Sequence, residues 1–397
     1  MTTLNRRPFV PHDLRSSIPG AAGGPLTGLT AAVKDMYEIE GERTGGGNAD
    51  WLALAKPARQ TCPAVRKLVE AGATIIGKTI TEEFFFSVIG INPYYGAPVN
   101  VRARGRVAGG SSSGSASATA AGLCDFALGS DTGGSVRIPA SFCGLYGIRP
   151  THGRVDLIGA MPMAPSLDAA GWFAGSPGVF RKIGPVLLGG KSVPAPVQNL
   201  VVLEDAFGTA DPGVAQMTRA ALAAMSAELP SPRHETIAPD GLEAWRECFR
   251  VIQGFEVWRE YGDFVTKHNP RLGPGVRERM QFASTVTRHD FERATAIRAS
   301  LRERAYALAQ PGTILALPTS PVIAPRLDTG EPDLDLIRTR IMRITSISSL
   351  SGLPQVTIPA GTVEGCPAGL SFIGWVGGDE ALLDLALTLA RYCGLEA

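Results

Sequence analysis

The chain has 397 residues, 44% of them hydrophobic and 19% charged, a composition typical of a globular protein with enough apolar side chains for a sizeable core. With 38 Lys and Arg against 37 Asp and Glu, the net charge is +1, which favours a small-molecule partner over nucleic acid or an anionic membrane. No apolar run follows the basic pair near the amino terminus and no later stretch is long enough to span a bilayer, so we expect a cytoplasmic protein.

The first third of the chain alternates short apolar runs with a helical pattern. Residues 29–33 predict a strand that ends at Lys34, residues 64–71 a helix, and residues 74–76 a second strand closed by Gly77. This order is typical of a βαβ unit in an α/β protein.

The rest of the chain contains a long helical region between predicted strands. Residues 190–200 resemble a surface connection that leads to a strand at 200–203, and strands are again predicted at 313–317, 355–358 and 369–373. Between about 241 and 310 an apolar stripe indicates helices; it contains Trp245, Phe249, Ile252 and Phe255. The many arginines in this region form either a solvated helical face or a subunit interface. A final helix is predicted at 380–392, with Asp379 as its N-cap.

The cysteines give no sign of a metal site or of a disulfide framework. They are widely spaced, without a C-x-x-C pair or a histidine at ligand spacing, and we expect them to be reduced and mostly buried, with no metal and no cofactor. The six are Cys62, Cys124, Cys143, Cys248, Cys366 and Cys393.

Two glycine- and serine-rich segments carry the clearest chemical signal. Residues 109–115 read GGSSSGS and residues 129–137 read GSDTGGSVR. Glycines let consecutive backbone N–H groups converge on one point beside exposed hydroxyls, as acyl transfer through an oxyanion requires. By residue type alone, a segment rich in glycine and serine is more often an ordinary flexible or tight turn.

A serine nucleophile needs a base, and two lysines are candidates. None of the five histidines lies in a motif that identifies a base, and His152 follows Pro150 in a predicted turn. Lys34 and Lys78 each end an apolar run, where burial would lower the lysine pKa toward that of a usable base. Local sequence does not separate these two lysines.

Three competing motifs are excluded or discounted. No serine lies three residues before any of the seven lysines, which excludes the Ser-x-x-Lys pattern. Residues 110–114 match Gly-x-Ser-x-Gly with Ser112 as nucleophile, but a basic segment rather than a buried strand precedes them. The Gly-Lys-Thr at 77–79 follows a strand rather than a glycine-rich loop, so a phosphate-binding loop is not expected.

Together these segments resemble the signature of the amidase signature family. The resemblance extends from residues 109–115 and 129–140 to the pair at 143–144, to residues 32–35 and 72–79, and to residues 352–361 near the carboxyl end. It implies an α/β fold in which helices cover both faces of a mixed central β-sheet. It also implies one domain over 1–397, with a core signature region at about 25–175, a variable helical region at about 190–310, and carboxyl-terminal strands and a helix at 311–397.

The resemblance also assigns roles to individual residues. Lys34 matches the catalytic base, Ser111 the bridging serine with a cis peptide bond, and Ser135 the nucleophile that forms an acyl-enzyme. It gives Lys78 either a structural role or a supporting position behind the catalytic residues, and Ser130 stands where threonine is commoner. The backbone amides implied for the oxyanion hole are those of Thr132, Gly133, Gly134 and Ser135, and the residues implied to support the loop are Asp131, Arg137 and Ser112.

The substrate remains open. Several stretches look closest to indole-3-acetamide hydrolases, but a small aryl or alkyl primary amide fits equally well. The alternatives are a noncatalytic amidase-like binding domain and an amidotransferase-type subunit. We expect no nucleic-acid or membrane partner, and a homodimer stays open.

Overall fold

The computed structural model describes residues 5, 6, 8–12 and 14–393, and a mixed ten-stranded sheet forms the centre of this part of the chain. The strand order in the sheet is β3-β2-β5-β7-β6-β11-β12-β10-β8-β9, and β1 and β4 form a separate parallel pair. The strands are β1 (Asn5–Arg6), β2 (Thr30–Lys34), β3 (Thr74–Thr79), β4 (Ala97–Pro98), β5 (Phe126–Asp131), β6 (Tyr146–Arg149), β7 (Ala169–Ala174), β8 (Asn199–Leu203), β9 (Pro232–Glu235), β10 (Thr313–Pro318), β11 (Gln355–Val363) and β12 (Cys366–Ile373).

Helices pack on both faces of this sheet, as the resemblance implies. In β10, Ile314 and Ala316 lie in one core cluster while Leu315 and Leu317 lie in another, because successive side chains of a strand point to opposite faces. The helices are α1 (Ala49–Leu54), α2 (Pro63–Glu70), α3 (Ser113–Ala120), α4 (Arg137–Cys143), α5 (Pro177–Leu187), α6 (Glu204–Thr209), α7 (Pro212–Ala224), α8 (Leu242–His268), α9 (Val276–Thr285), α10 (Arg288–Leu308), α11 (Glu331–Ser351) and α12 (Asp379–Thr388).

The predicted βαβ unit is present. Strands β2 and β3 are parallel, helix α2 lies between them in the chain, and β2 also pairs in parallel with β5. Because β2 is an interior strand, the lysine at its carboxyl end, Lys34, has a neighbouring strand on each side. This position explains how a charged residue type comes to be fully buried.

The helical region predicted between 241 and 310 consists of α8, α9 and α10. Trp245, Phe249 and Ile252 are buried as the stripe predicts, whereas Phe255 is half-buried and stacks on Phe291 at 4.4 Å between ring centroids. Not all of the arginines are solvated: Arg298 donates to Leu350 O at 2.8 Å and so ties α10 to the end of α11.

The prediction of Asp379 as an N-cap is wrong. Gly378 is the N-cap of α12, and Asp379 is the first helical residue. Its buried carboxylate instead accepts hydrogen bonds from the backbone N and the hydroxyl of Thr151, both at 2.7 Å, and from Arg154. A long-range contact therefore uses the carboxylate that local sequence assigns to a cap.

All six cysteines are free and buried, as predicted from their spacing. Among the residues that the structure describes, no helix combines the length and the apolar character needed to cross a membrane.

Candidate active site

Lys34 is completely buried and contacts two serine hydroxyls. Its Nζ donates to Oγ of Ser111 at 2.7 Å and to Oγ of Ser130 at 2.8 Å, and it lies 4.9 Å from the centroid of the Phe85 ring. Burial lowers its pKa from 10.5 to about 7, because an ammonium ion loses hydration there. Three nearby carboxylates, those of Glu82, Asp168 and Asp131, oppose this shift without cancelling it.

Ser111 lies in the first glycine-rich turn, directly before α3. The Gly110–Ser111 peptide is cis, and Ser111 is inaccessible to solvent. At Gly109, φ is 76°, and a Cβ there would lie 2.8 Å from the Cα of Pro139 at the start of α4. Glycine at 109 is thus required both by the backbone conformation and by the close approach of α4.

Ser112 links the first turn to the end of β5. Its Oγ donates to Ser130 O at 3.2 Å and accepts from Ser130 N at 3.3 Å. The hydroxyl of Ser112 is therefore already engaged in a bridge between the two segments.

The second turn joins β5 to α4 and is organised around the buried carboxylate of Asp131. This carboxylate accepts from the backbone N of Gly134 at 2.9 Å and of Val136 at 3.1 Å, and from Nε of Arg137 at 2.9 Å. Burial alone would raise the pKa of Asp131, but the charges of Arg137 and Arg149 outweigh it and hold that pKa well below its usual range. The carboxylate therefore stays ionised and fixes the shape of the turn.

Helix α11, which the sequence did not predict, holds the same turn from the opposite side. Thr345 Oγ1 donates to Gly133 O at 2.8 Å, and Arg137 donates to Thr345 O at 3.0 Å. Gly134 has a φ of 114°, and a Cβ there would lie 2.9 Å from Cγ2 of Thr345. The turn is thus packed tightly between α4 and α11.

The first residue of the turn, Thr132, contacts a buried carboxylate that was not predicted. Thr132 Oγ1 donates to Asp168 at 2.6 Å, and Asp168 also accepts from the backbone N of Met163 and Ala164 at 2.9 and 3.0 Å. Burial raises the pKa of Asp168. No periodic pattern marks this residue, which lies directly before β7 in the chain.

The predicted oxyanion donors differ in availability. The N–H of Gly134 is already donated to Asp131 and is not available to an oxyanion, in contrast to the prediction. Within the described part of the chain, the N–H groups of Thr132, Gly133 and Ser135 have no hydrogen-bond acceptor. These three remain candidates for holding a developing negative charge.

Lys78 lies in a different environment from Lys34. Its Nζ is 2.7 Å from Oδ1 of Asp35 and donates to Thr44 Oγ1 at 2.9 Å, and His12 Nε2 lies 2.9 Å from the other oxygen of Asp35. This buried ion pair gives Lys78 the structural position that the resemblance implies.

A cavity of about 590 Å³ opens beside Ser135 and Gly133. Helices α8, α9 and α11 supply much of its wall, so the variable helical region shapes the space next to the nucleophile candidate. The apolar lining residues are Phe85, Phe86, Val88, Phe249, Phe282 and Met342, and the charged ones are Arg246, Arg250, Glu278, Arg279, Glu331, Asp335 and Arg338. A concave wall that combines aromatic and aliphatic side chains with charged groups is suited to a small molecule that carries both apolar and polar parts.

Known proteins share both the sequence and the fold. A family model described as amidase matches residues 12–178. Amidase 1 of Arabidopsis thaliana is 35% identical over 92% of this chain and 93% of that protein. A glutamyl-tRNA(Gln) amidotransferase subunit of Methanospirillum hungatei is 30% identical over 94% of this chain and 95% of that protein. A solved structure described as a crystal structure of amidase has a TM-score of 0.82 and 32% identity, covering 93% of this chain and 85% of that one.

Proposed function

We propose that this chain, which belongs to the amidase family and is an amidase, cleaves small primary amides to the acid and ammonia through an acyl-enzyme on Ser135. Amide hydrolysis is supported by the relatives and the solved structure that are described as amidases. The acyl-enzyme, the roles of individual residues and the substrate are the parts that we propose. The observation that carries them is a fully buried lysine with a pKa near 7 within 2.7 Å of Ser111.

The first step is activation of Ser135. Neutral Lys34 accepts the hydroxyl proton of Ser111 while Ser111 accepts that of Ser135, whose oxygen attacks the amide carbonyl carbon. The position of Ser135 supports its role as nucleophile, because Ser135 lines the cavity whereas Lys34 and Ser111 do not. The base is thereby shielded from solvent while the nucleophile is accessible to substrate.

The second step is collapse of the tetrahedral intermediate. Its oxyanion accepts hydrogen bonds from the free N–H groups of Thr132, Gly133 and Ser135, which the contacts of Asp131 and Thr345 hold in place before the reaction. Protonated Lys34 returns its proton through Ser111 to the leaving nitrogen, and ammonia departs. Water then attacks the acyl-enzyme by the same proton path and releases the acid.

The cavity supports aryl or alkyl amides as substrates. Its aromatic and aliphatic lining favours an apolar acyl group, and about 590 Å³ accommodates a small molecule, with indole-3-acetamide among the candidates. Small-molecule amides are also the substrates expected of the family. We further propose a cytoplasmic location from the sequence pattern alone.

Fluorophosphonate labelling and ammonia release test this function. We expect the wild-type chain to be labelled and to release ammonia from simple amides, and Ser135→Ala to lose both. Ser113→Ala is a matched control, since Ser113 lies in the same serine-rich run and its buried hydroxyl has no hydrogen-bond partner among the described residues. Absence of labelling in the wild type over the whole accessible pH range would exclude the acyl-enzyme and favour a noncatalytic binding domain.

A second candidate is the amidase component of an amidotransferase-type complex. The similarity to the glutamyl-tRNA(Gln) amidotransferase subunit, which spans nearly the whole of both chains, favours it. Such a component would deliver ammonia to a partner rather than release it. Turnover of simple amides by the purified chain alone would speak against this candidate, and turnover only after a partner is added would support it.

A further inference from the structure

Three of the four arginines that line the cavity are neutralised by carboxylates. The pairs are Arg246 with Glu243 at 2.5 Å, Arg250 with Glu247 at 2.7 Å and Arg338 with Glu331 at 2.6 Å. The positive charge of each is therefore balanced within the protein itself.

The fourth arginine, Arg279 on α9, has no ion-pair partner in the described part of the chain. Its Nε donates to Phe86 O at 2.7 Å, which orients the guanidinium. Its Nη1 is buried and has no hydrogen-bond partner among the described residues. Burial and the charge of Arg338 lower its pKa to about 10, although the more distant carboxylates of Glu82, Glu331 and Asp335 oppose this shift. Arg279 is thus still a cation at neutral pH.

A buried guanidinium nitrogen without an acceptor is costly, because it has lost water and gained no hydrogen bond in return. The planar guanidinium matches a carboxylate better than any other common group, since two N–H groups can donate to its two oxygens. The other arginines of this wall have direct ion pairs, so Arg279 is the cavity-lining arginine whose guanidinium is still open to a direct carboxylate contact among the described residues. The apolar residues around it would contact the chain that carries the carboxylate.

We propose that Arg279 is a specificity-determining residue that binds a carboxylate at the far end of the acyl group, so that the substrates are monoamides of dicarboxylic acids. The inference rests on the proposed function, because it places the amide of the same molecule at Ser135. Arg279 takes no part in the chemistry. It selects the acyl group and fixes which end of the substrate enters the cavity first.

The test compares matched amides of several chain lengths. Ammonia release is measured for the monoamides of succinic, glutaric, adipic and pimelic acid, each against the neutral alkyl amide of similar length, such as heptanamide for the adipic compound. We expect kcat/KM of the wild type to favour the carboxylated member by about tenfold or more at the fitting length, as a hydrogen-bonded charge pair supplies. In Arg279→Gln this ratio falls to about one, chiefly through KM.

Arg250→Gln is the matched control, because Arg250 lines the same cavity but is paired with Glu247. It should keep the wild-type ratio, and Arg279→Lys should restore part of it. A wild type with no preference for the carboxylate at any length, or an equal loss of ratio in both glutamine variants, would overturn the proposal.

Binding separates failure of this inference from failure of the proposed function. Calorimetry with Ser135→Ala and adipate measures recognition of a carboxylate without turnover. If no amide is hydrolysed but adipate binds and Arg279→Gln abolishes binding, the proposed function fails and the carboxylate site stands. If neutral amides are hydrolysed but neither carboxylated amides nor adipate are recognised, the proposed function stands and the carboxylate site fails.

Discussion

Replacement of Lys34 by methionine should remove the activity and also make the protein more stable at neutral pH. The reason is that Lys34 is buried with a pKa of about 7 instead of 10.5. With a pKa of 7, about half of the molecules carry the neutral base at pH 7, roughly a thousandfold more than an ordinary lysine would supply. The wild-type rate should therefore rise with pH and reach half its limit near pH 7.

The same shift has a cost in stability, whose sign follows from proton binding. Between pH 7 and 10.5 the unfolded chain binds a proton on Lys34 that the folded chain has released, so the free energy of unfolding rises with pH in this window. The difference in pKa corresponds to about 4 kcal/mol of lost stability at pH 7 and about 2 kcal/mol at pH 9. Methionine has a similar shape and no charge, so it removes this cost.

Urea unfolding of wild type and Lys34→Met at pH 7 and pH 9 measures both quantities. The free energy of unfolding of the variant is subtracted from that of the wild type at each pH, which cancels the titration of all other groups. This difference should change by about 2 kcal/mol between the two pH values. Ammonia release measured from pH 5 to 9 gives the rate profile. A difference that does not change with pH, a rate that still rises about tenfold per pH unit up to pH 9, or substantial activity in Lys34→Met would refute this account of the base.

Three further substitutions test the neighbouring residues. Ser111→Ala should slow ammonia release by about a hundredfold or more without abolishing it, because water can partly replace the bridging hydroxyl; full activity would contradict the relay. Asp131→Asn should lower the free energy of unfolding, measured in urea, by about 3–5 kcal/mol because Arg137 loses its buried counter-ion. A change below about 1 kcal/mol would show that this carboxylate does not hold the turn. Thr345→Val should lower kcat by about tenfold with little effect on KM, because the carbonyl of Gly133 loses its hydrogen bond and the oxyanion donors become less well ordered. An effect on KM alone would place Thr345 in substrate binding instead.

Much of the sheet could be predicted from local patterns. Residues 29–34, 74–76 and 313–317 are short apolar runs bounded by turns, and each is a strand in the structure. Helix α11 could not be predicted in this way, because its second half is buried on all sides and rich in serine, threonine and isoleucine. Neither helical periodicity nor helix propensity marks such a segment. The division of the chain into one domain with three regions stays a prediction.

The choice between Lys34 and Lys78 shows what local sequence could not separate. Both lysines end an apolar run, and β2 and β3 lie side by side in the sheet. In the register of these strands, Lys78 pairs with Val33 and Thr79 pairs with Lys34. Because side chains alternate along a strand, this offset of one residue sends the two lysines to opposite faces. One reaches the serines and the other reaches Asp35.

The sequence by itself determined the α/β class, the two glycine-rich turns and the family resemblance that names Lys34, Ser111 and Ser135. These features depend on residue types at short spacing, which the chain carries in any conformation. Only the tertiary structure decided which amides of the turn are free, that Thr345 anchors the turn, and that Arg279 lines the cavity beside Ser135 without an ion-pair partner in the described chain. The physical reason is that burial, hydrogen-bond satisfaction and charge balance depend on neighbours far apart in the chain, and these neighbours meet only when helices α8, α9 and α11 pack over the sheet.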